Sequence, residues 1–213
     1  MAELDWFNKP VEKSRDLILK EAFKLFLQKN VGKVTVPELE RVTRLQRGAI
    51  FYHFKDKEAI FREVIEKYFF SSLNIFSPIL PDGIYSIEEY WDKKNEHSAK
   101  IQCWFNKEEI PINPYSAFFH LAEQANLYIP AFRENMQKLL ETNKTYWTQI
   151  LLLKPKLAKS YIDAHCIGHL MDSLYLAQCY TAGYSEKGFS YGSDDITKLL
   201  IELFNTLQIN EVT

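Results

Sequence analysis

Between residues 11 and 70, helix start signals and apolar stripes leave room for two short helices flanked by two long ones. Apolar side chains recur every third or fourth residue from about Val11 to Lys29, which predicts the first long helix. Thr35 followed by Glu38 has the spacing of a capping box, which opens a short helix that can run only to about Thr43. The chain is therefore expected to turn sharply soon after its first helix.

A second short helix is predicted from about Gln46 to His53, and Asp56 then caps a longer helix that ends near Phe70. Two short helices joined by a tight turn and clamped by a longer one form a helix-turn-helix, whose second helix enters the major groove of DNA. Many helical hairpins share this spacing, so spacing alone leaves other helical folds open.

The residues in these helices carry a family resemblance in three segments: ILKEAFKLF at Ile18–Phe26, VTVPEL at Val34–Leu39 and GAIFYHFKDKE at Gly48–Glu58. Together they closely resemble the N-terminal domain of TetR-family (tetracycline-repressor-like) transcriptional regulators. The resemblance implies an all-α protein with a three-helix DNA-binding domain over residues 1–56 and a connecting helix over about 56–70. It further implies a C-terminal helical domain for effector binding and dimerisation over residues 71–213.

Two residues depart from the family pattern in the turn between the short helices. Arg44 stands where the family usually has Gly, and Gln46 stands where a small cap such as Ser is common. If the turn needs a left-handed backbone, a non-Gly residue there costs on the order of 1 kcal/mol. This departure supports the alternative, a helical ligand-binding or enzymatic module with a vestigial helix-turn-helix.

The start of the second short helix supplies the side chains that we expect to read bases. Gln46 can pair with adenine, Arg47 can fork onto guanine or a phosphate, and Ala49 can pack on a thymine methyl group. Ile50 and Phe54 are better interpreted as core residues. Base contacts choose the sequence, so the first three residues are expected to set specificity.

A second set of residues is expected to contact the DNA backbone. The resemblance supports Tyr52, His53 and Lys57 in this role. Thr35 is a further candidate because free amides at a helix N-terminus favour anions, and Arg44 would add a cation beside the phosphates. A solvated surface position, or a core position for the aromatic residues, is the alternative for each.

The composition favours helices and excludes several classes of protein. Only 7 Gly and 8 Pro are scattered through 213 residues, which argues against a disordered or many-turned β chain. We expect neither a secretory signal nor a membrane span, since no apolar run approaches about 18 residues. Three widely spaced cysteines fit reduced thiols in a cytoplasmic protein.

The basic residues concentrate at the N-terminal end. Residues 1–70 hold 14 Lys and Arg against 11 Asp and Glu, whereas the net charge of the whole chain is -2. This excess fits an anion-binding surface, although ordinary solvated surface explains it equally well.

The C-terminal part is predicted to be helical over about 87–105, 115–127, 131–153, 156–182 and 194–208. From Tyr161 to Tyr180 apolar residues fall on two faces, one with Met171 and Tyr175 and another with Cys166 and Leu170. The resemblance implies a homodimer through the last two long helices. A helix central to its own domain would give the same pattern.

The middle of the chain is unusually aromatic, and aromatic side chains line ligand pockets as readily as they fill cores. The resemblance implies a cavity for a small-molecule effector in this region. The candidate lining residues are Trp104, Phe118, Phe119, His120, Trp147 and His169.

Metal and catalytic motifs are weak in this sequence. His165, His169 and Asp172 share one helical face, but three ligands on one helix need a fourth from elsewhere, so a polar strip is the stronger interpretation. His120 and Glu123 form a single HxxE without the second copy that di-iron bundles carry. We expect no cofactor, no metal and no enzymatic activity. The leading hypothesis is a dimeric repressor that a small molecule releases from a palindromic operator.

Overall fold

The computed structural model describes residues 14–71, 74–84, 86–153 and 161–185, together with residues 198, 199 and 202. Within these residues every regular element is helical. The all-α fold class is therefore confirmed for the described part of the chain.

The N-terminal elements follow the predicted order of long, short, short and long helices. They are α1 (Ser14–Gln28), a 3₁₀ turn (Val31–Lys33), α2 (Val36–Thr43), α3 (Arg47–His53), α4 (Lys57–Val64) and a π-helical continuation of α4 (Ile65–Phe69). Both predicted N-caps are present, because Thr35 and Asp56 accept hydrogen bonds from the amides of Glu38 and Ala59. Each cap fixes where its helix begins and satisfies an amide that has no partner within the helix.

The later helices lie close to their predicted positions. They are α5 (Ile87–Lys107), α6 (Pro114–Tyr128), α7 (Phe132–Leu152) and α8 (Tyr161–Ala182). The helix predicted over 194–208 lies almost entirely outside the described residues, as does the predicted start of α8 near Lys156. None of the described helices is both long enough and apolar enough to span a bilayer.

The chain divides into two compact units. The first comprises Met1–Ser77 and Trp104–Asn135, and the second comprises Pro78–Cys103 and Met136–Thr213. These compact units do not test the predicted division by function, with DNA binding over residues 1–56 and effector binding and dimerisation over residues 71–213. That division stays a prediction.

The core of the first unit is built on α1. Its apolar stripe is buried, and the Phe26 ring meets the Phe61 ring of α4 edge to face with centroids 5.0 Å apart. The Phe23 ring stacks on Tyr68 at 5.0 Å and on Trp104 at 5.9 Å. Burying one such side chain stabilises the fold by roughly 1.5–3 kcal/mol, so α1 provides the base on which α2, α3 and α4 are held.

The interior of the second unit contains a charged residue surrounded by aromatic rings. The Lys94 side chain is 1% exposed, and its Nζ donates to Asn143 Oδ1 at 2.8 Å and lies 4.4 Å from the centre of the Tyr175 ring. Burial lowers the pKa of Lys94 to about 8, although the negative charge of Asp172 acts in the opposite direction. The ammonium is thus held by an amide oxygen and a ring face.

Asp172 in the second unit gives the fold a predictable pH dependence. Burial raises its pKa to about 6, against the pull of Lys94 and Lys144. The folded state therefore keeps this proton between about pH 4 and 6 while the unfolded chain releases it. The resulting stabilisation is present below about pH 4 and is lost as the pH rises through 6.

We expect Asp172→Asn to remove this loss of stability. The pKa shift of Asp172 corresponds to a loss on the order of 3 kcal/mol. Urea unfolding of the wild type and the variant at pH 4 and pH 7 measures it, and all other titrating groups are common to both proteins. An equal loss in both proteins between the two pH values would show that Asp172 does not titrate in this range.

Candidate nucleic-acid interface

Helix α3 buries one side and exposes the other. Ile50 is fully buried and Phe54, just after the helix, is 3% exposed, so both predicted core positions are confirmed. Arg47 and Ala49 are exposed, and the Tyr52 side chain is 85% exposed. The helix therefore presents to solvent a polar and partly basic face that does not take part in the core.

The turn before α3 is made by Arg44 in a left-handed conformation, with φ 56° and ψ 26°. The conditional prediction for this residue is confirmed, because the turn does need the backbone that glycine adopts most easily. The adjoining Thr43 hydroxyl donates to the Leu39 carbonyl at 2.6 Å and accepts from the Leu45 amide at 3.3 Å. These bonds hold α2 to its end and fix the direction in which the chain leaves it.

The N-terminus of α3 is capped from another helix. Gln46 occupies the N-cap position, but its side chain makes no capping hydrogen bond. Instead the Arg47 amide donates to Glu40 Oε1 of α2 at 2.7 Å. Sequence patterns do not reveal Glu40, because capping patterns are local and this bond joins residues seven positions apart on two helices.

The Arg47 guanidinium lies over the Phe51 ring, 5.5 Å from its centre. Within the part of the chain that the structure describes, no carboxylate pairs with the guanidinium of Arg47 or Arg44. Gly48 lies between the exposed positions of α3, and a Cβ built there would meet nothing within 4 Å. Neither packing nor φ requires glycine at this position, so its effect is to leave the exposed backbone open to close approach.

Thr35 and Lys57 have structural roles at the edge of this face. Thr35 and Glu38 form the predicted capping box, and Lys29 pairs with the Glu38 carboxylate. The hydrogen bond from Lys29, followed by that from the Thr35 amide, lowers the pKa of Glu38 to about 2. Lys57 Nζ donates to the carbonyl of Val34 at 2.8 Å, which ties the start of α4 to the segment before α2.

The two remaining backbone-contact candidates lie at the end of α3. The Tyr52 and His53 rings pack edge to face with centroids 5.2 Å apart, and His53 is half-buried. All eight DNA-contact candidates thus lie in the stretch from the start of α2 to the start of α4. Their roles in binding stay predictions.

The six ligand-contact candidates are divided between the two units. Trp104, Phe118, Phe119 and His120 belong to the first, whereas Trp147 and His169 belong to the second. Trp104 and Phe118 pack on Phe23 in the core of the first unit, and Phe119 packs on Phe76 with centroids 5.0 Å apart. Trp147 is fully buried and lies edge-on to Tyr90 at 4.5 Å. These aromatic residues have core contacts, and a ligand role for any of them stays a prediction.

His120 differs from the other candidates because it lines an open groove in the first unit. The groove has a volume of about 880 Å³ and is also lined by Lys29, Lys33, Thr35 and Ser116. Its walls carry lysine, hydroxyl and imidazole groups together with the apolar side chain of Leu27. Such a mixture suits a small molecule with an apolar body and polar or anionic groups.

His165, His169 and Asp172, for which a polar strip is the stronger prediction, all lie on α8. The His165 and His169 rings lie 4.3 Å apart, while Asp172 is buried. Burial, followed by the charge of Lys144, lowers the pKa of His169. Among the described residues no group of three metal-ligating side chains is assembled.

The segment that builds α1 to α4 matches a known family. Residues 18–64 fit the sequence profile of bacterial regulatory proteins of the tetR family. The N-terminal segment of the chain is thus a tetR-family domain. The resemblance read from the sequence is confirmed by this match over residues 18–64.

Two relatives, both named as transcriptional regulators, match stretches of different length. The transcriptional regulator AcrR of Shigella flexneri is 38% identical over 55 residues, which is 26% of this chain and 26% of AcrR. The transcriptional regulator QacR of Staphylococcus aureus is 26% identical over 151 residues, which is 71% of this chain and 66% of QacR. The chain thus spans about a quarter of the length of AcrR and just under two thirds of that of QacR.

A solved structure of native NalD from Pseudomonas aeruginosa also aligns with this chain. NalD is described as the secondary repressor of the MexAB-OprM multidrug efflux pump. The TM-score is 0.45 at 16% identity, over 91% of this chain and 96% of NalD.

The left-handed turn of this TetR-family domain can be tested by substitution. We expect Arg44→Gly to raise the free energy of unfolding by about 1 kcal/mol, because glycine removes the Cβ strain at φ 56°. Arg44→Ala is the matched control, since it removes the same guanidinium but keeps the strain. Chemical denaturation of the three proteins measures the difference. Equal stabilities for the glycine and alanine variants would show that the turn carries no strain.

Proposed function

We propose that this chain is a sequence-specific DNA-binding regulator of transcription, which represses genes by occupying an operator. The observation that carries the proposal is the exposed face of α3, with Arg47, Ala49 and Tyr52 around an open Gly48. A helix of this kind, set after a tight turn and backed by a buried core, is the part of a helix-turn-helix that enters the major groove. A DNA-binding protein of this kind would act in the cytoplasm and without enzymatic chemistry.

The alternative, a vestigial helix-turn-helix, is not favoured. Arg44 was its best argument, and Arg44 adopts the left-handed conformation that a working turn requires. A face that had lost its function would have no reason to keep an exposed glycine at position 48, which costs helix stability.

The contacts divide into two groups by their chemistry. We assign base reading to Gln46, Arg47 and Ala49, and assign phosphate contacts to Arg44, Tyr52, His53, Lys57 and Thr35. Lys57 has a double role in this proposal, because its ammonium already donates to the carbonyls of Val34 at 2.8 Å and Gly32 at 3.4 Å. The third N–H of an ammonium remains for a phosphate oxygen.

We infer that a second copy of the chain pairs through α8. This helix exposes Cys166, Leu170, Ser173, Ala177 and Tyr180, and Tyr184 is exposed in the turn just after it. These positions are spaced by three or four residues and therefore form one continuous stripe. Leu170 is 43% exposed and Tyr180 is 52% exposed, so the stripe offers apolar surface to a partner. A twofold pair of α3 helices would match the two halves of a palindromic operator.

For the effector, the groove beside His120 has a position that supports regulation. Thr35 lines this groove and also caps α2, the first helix of the helix-turn-helix. A small molecule bound there would act on a residue that we assign to phosphate contact. Such an effector regulates only if its affinity differs between the DNA-bound and free states by about 1–3 kcal/mol.

The function is tested by mixing the protein with fragmented DNA from its own source at about 0.15 M salt and sequencing what is retained. We expect one palindrome to be enriched, with a preference of roughly 10³-fold or more over nonspecific DNA. Arg47→Ala should relax the base preference, whereas Lys57→Ala should weaken all sequences alike and lower the salt slope by about one.

Lys55→Ala provides the matched control for Lys57, because Lys55 is an exposed lysine of the same segment outside the proposed contacts. Identical behaviour of the Arg47 and Lys57 variants would contradict the division of roles. A wild-type protein that enriches no sequence at all would contradict the proposed function itself.

The dimer is tested at Leu170. We expect Leu170→Glu to give a monomer in sedimentation and to lose most operator affinity, because a carboxylate on the stripe would be buried against its twofold mate. Leu127→Glu is the control, since Leu127 is a 75% exposed leucine of α6 that is not part of the stripe. A Leu170 variant that sediments like the wild type would place the interface elsewhere.

A further inference from the structure

Glu40 occupies an unusual position for an acidic residue of a DNA-binding segment. Its Oε1 accepts from the Arg47 amide at 2.7 Å, so a carboxylate stands at the N-terminus of α3. Arg47, whose amide makes this bond, and Gln46, the residue before it, are both assigned to base reading. A negative charge has therefore been placed at the end of the helix that meets DNA.

The bond replaces a cap that α3 otherwise lacks. The Gln46 side chain makes no capping hydrogen bond, while the amides of Ala49 and Ile50 already donate to the Gln46 carbonyl at 2.9 and 3.2 Å. Glu40 satisfies the first amide of the helix from the neighbouring helix α2. It thereby links the two short helices across the Arg44 turn and limits rotation of α3 against α2.

The charge of Glu40 has a second consequence at this place. The N-terminus of a helix carries a partial positive charge and free amides, which ordinarily attract a phosphate. A carboxylate at the same end satisfies that attraction internally and repels an approaching phosphate. Base edges carry no such charge, and a carboxylate can even accept from cytosine N4.

We propose that Glu40 is a specificity-determining positioning residue: it fixes the angle of α3 through the Arg47 amide, and its charge keeps backbone phosphates away from the N-terminus of α3. Contacts at that end are then made with base edges, and nonspecific binding is weakened more than operator binding. This inference rests on the proposed function as a DNA-binding regulator.

The charge is tested with Glu40→Gln, because the amide oxygen can still accept from the Arg47 amide. We expect this variant to bind nonspecific duplex DNA about fivefold more tightly at low salt, with a salt slope steeper by up to about one. Operator affinity should change less, so the preference for the operator should fall by up to about fivefold. Glu66→Gln is the matched control, since Glu66 is an exposed carboxylate beyond the end of α4.

The positioning role is tested with Glu40→Ala and with the double variant Glu40→Ala/Gln46→Ser. The single variant loses the cap and should lose stability and operator affinity. Serine at position 46 can supply a side-chain cap of its own, so the double variant should regain stability. Because Gln46 is itself assigned to base reading, Gln46→Ser alone is the reference for operator preference. The double variant should have a lower preference than this reference, because the charge of Glu40 is still missing.

Two results would overturn the inference. One is a Glu40→Gln variant whose nonspecific affinity and salt slope equal those of the wild type and of Glu66→Gln. The other is a double variant whose operator preference equals that of Gln46→Ser alone, which would make Glu40 a helix cap alone. The nonspecific affinity and the salt slope can both be measured without a known operator. Failure of the wild type to prefer any sequence would instead count against the proposed function.

Discussion

The position of α3 after α2 depends on one residue with a strained backbone. Arg44 ends α2 in a left-handed conformation, and this single change of backbone direction lets a second short helix begin three residues later. The strain is supported from both sides, by the Thr43 hydroxyl bonds and by the bond from the Arg47 amide to Glu40. A glycine would relieve the strain, but it would remove a guanidinium from the edge of the exposed face. Arg44 thus costs a small amount of stability and keeps a cation beside the face that is proposed to contact DNA.

Much of the N-terminal fold could be predicted because its signals are local. Thr35 and Asp56 are capping residues whose partners lie three positions away, and Ile50 and Phe54 fall on the apolar side of a short helix. Such patterns depend on helix geometry alone. They therefore appear in the sequence without any knowledge of the tertiary structure.

The features that escaped prediction all depend on packing between elements. Glu40 reaches an amide on the next helix, and Lys57 reaches the carbonyl of Val34, 23 positions earlier. The aromatic residues illustrate the same limit. Trp104 and Trp147 carry the same chemistry, yet they pack in different units, and periodicity contains no information about that assignment. Composition could show that aromatic side chains were available for a pocket, but only packing shows which of them fill a core.

The start of α2 connects the proposed effector groove with the proposed DNA-binding face. The capping box of Thr35 and Glu38 is held by Lys29, and both Thr35 and Lys29 line the groove that contains His120. An anionic occupant of the groove would compete with the Glu38 carboxylate for Lys29. Loss of that ion pair would loosen the reciprocal bonds at the first turn of α2, and with them the helix from which Glu40 holds α3. In this arrangement an effector would need no long path to alter DNA binding, because the groove and the recognition helix share the same short helix as a neighbour.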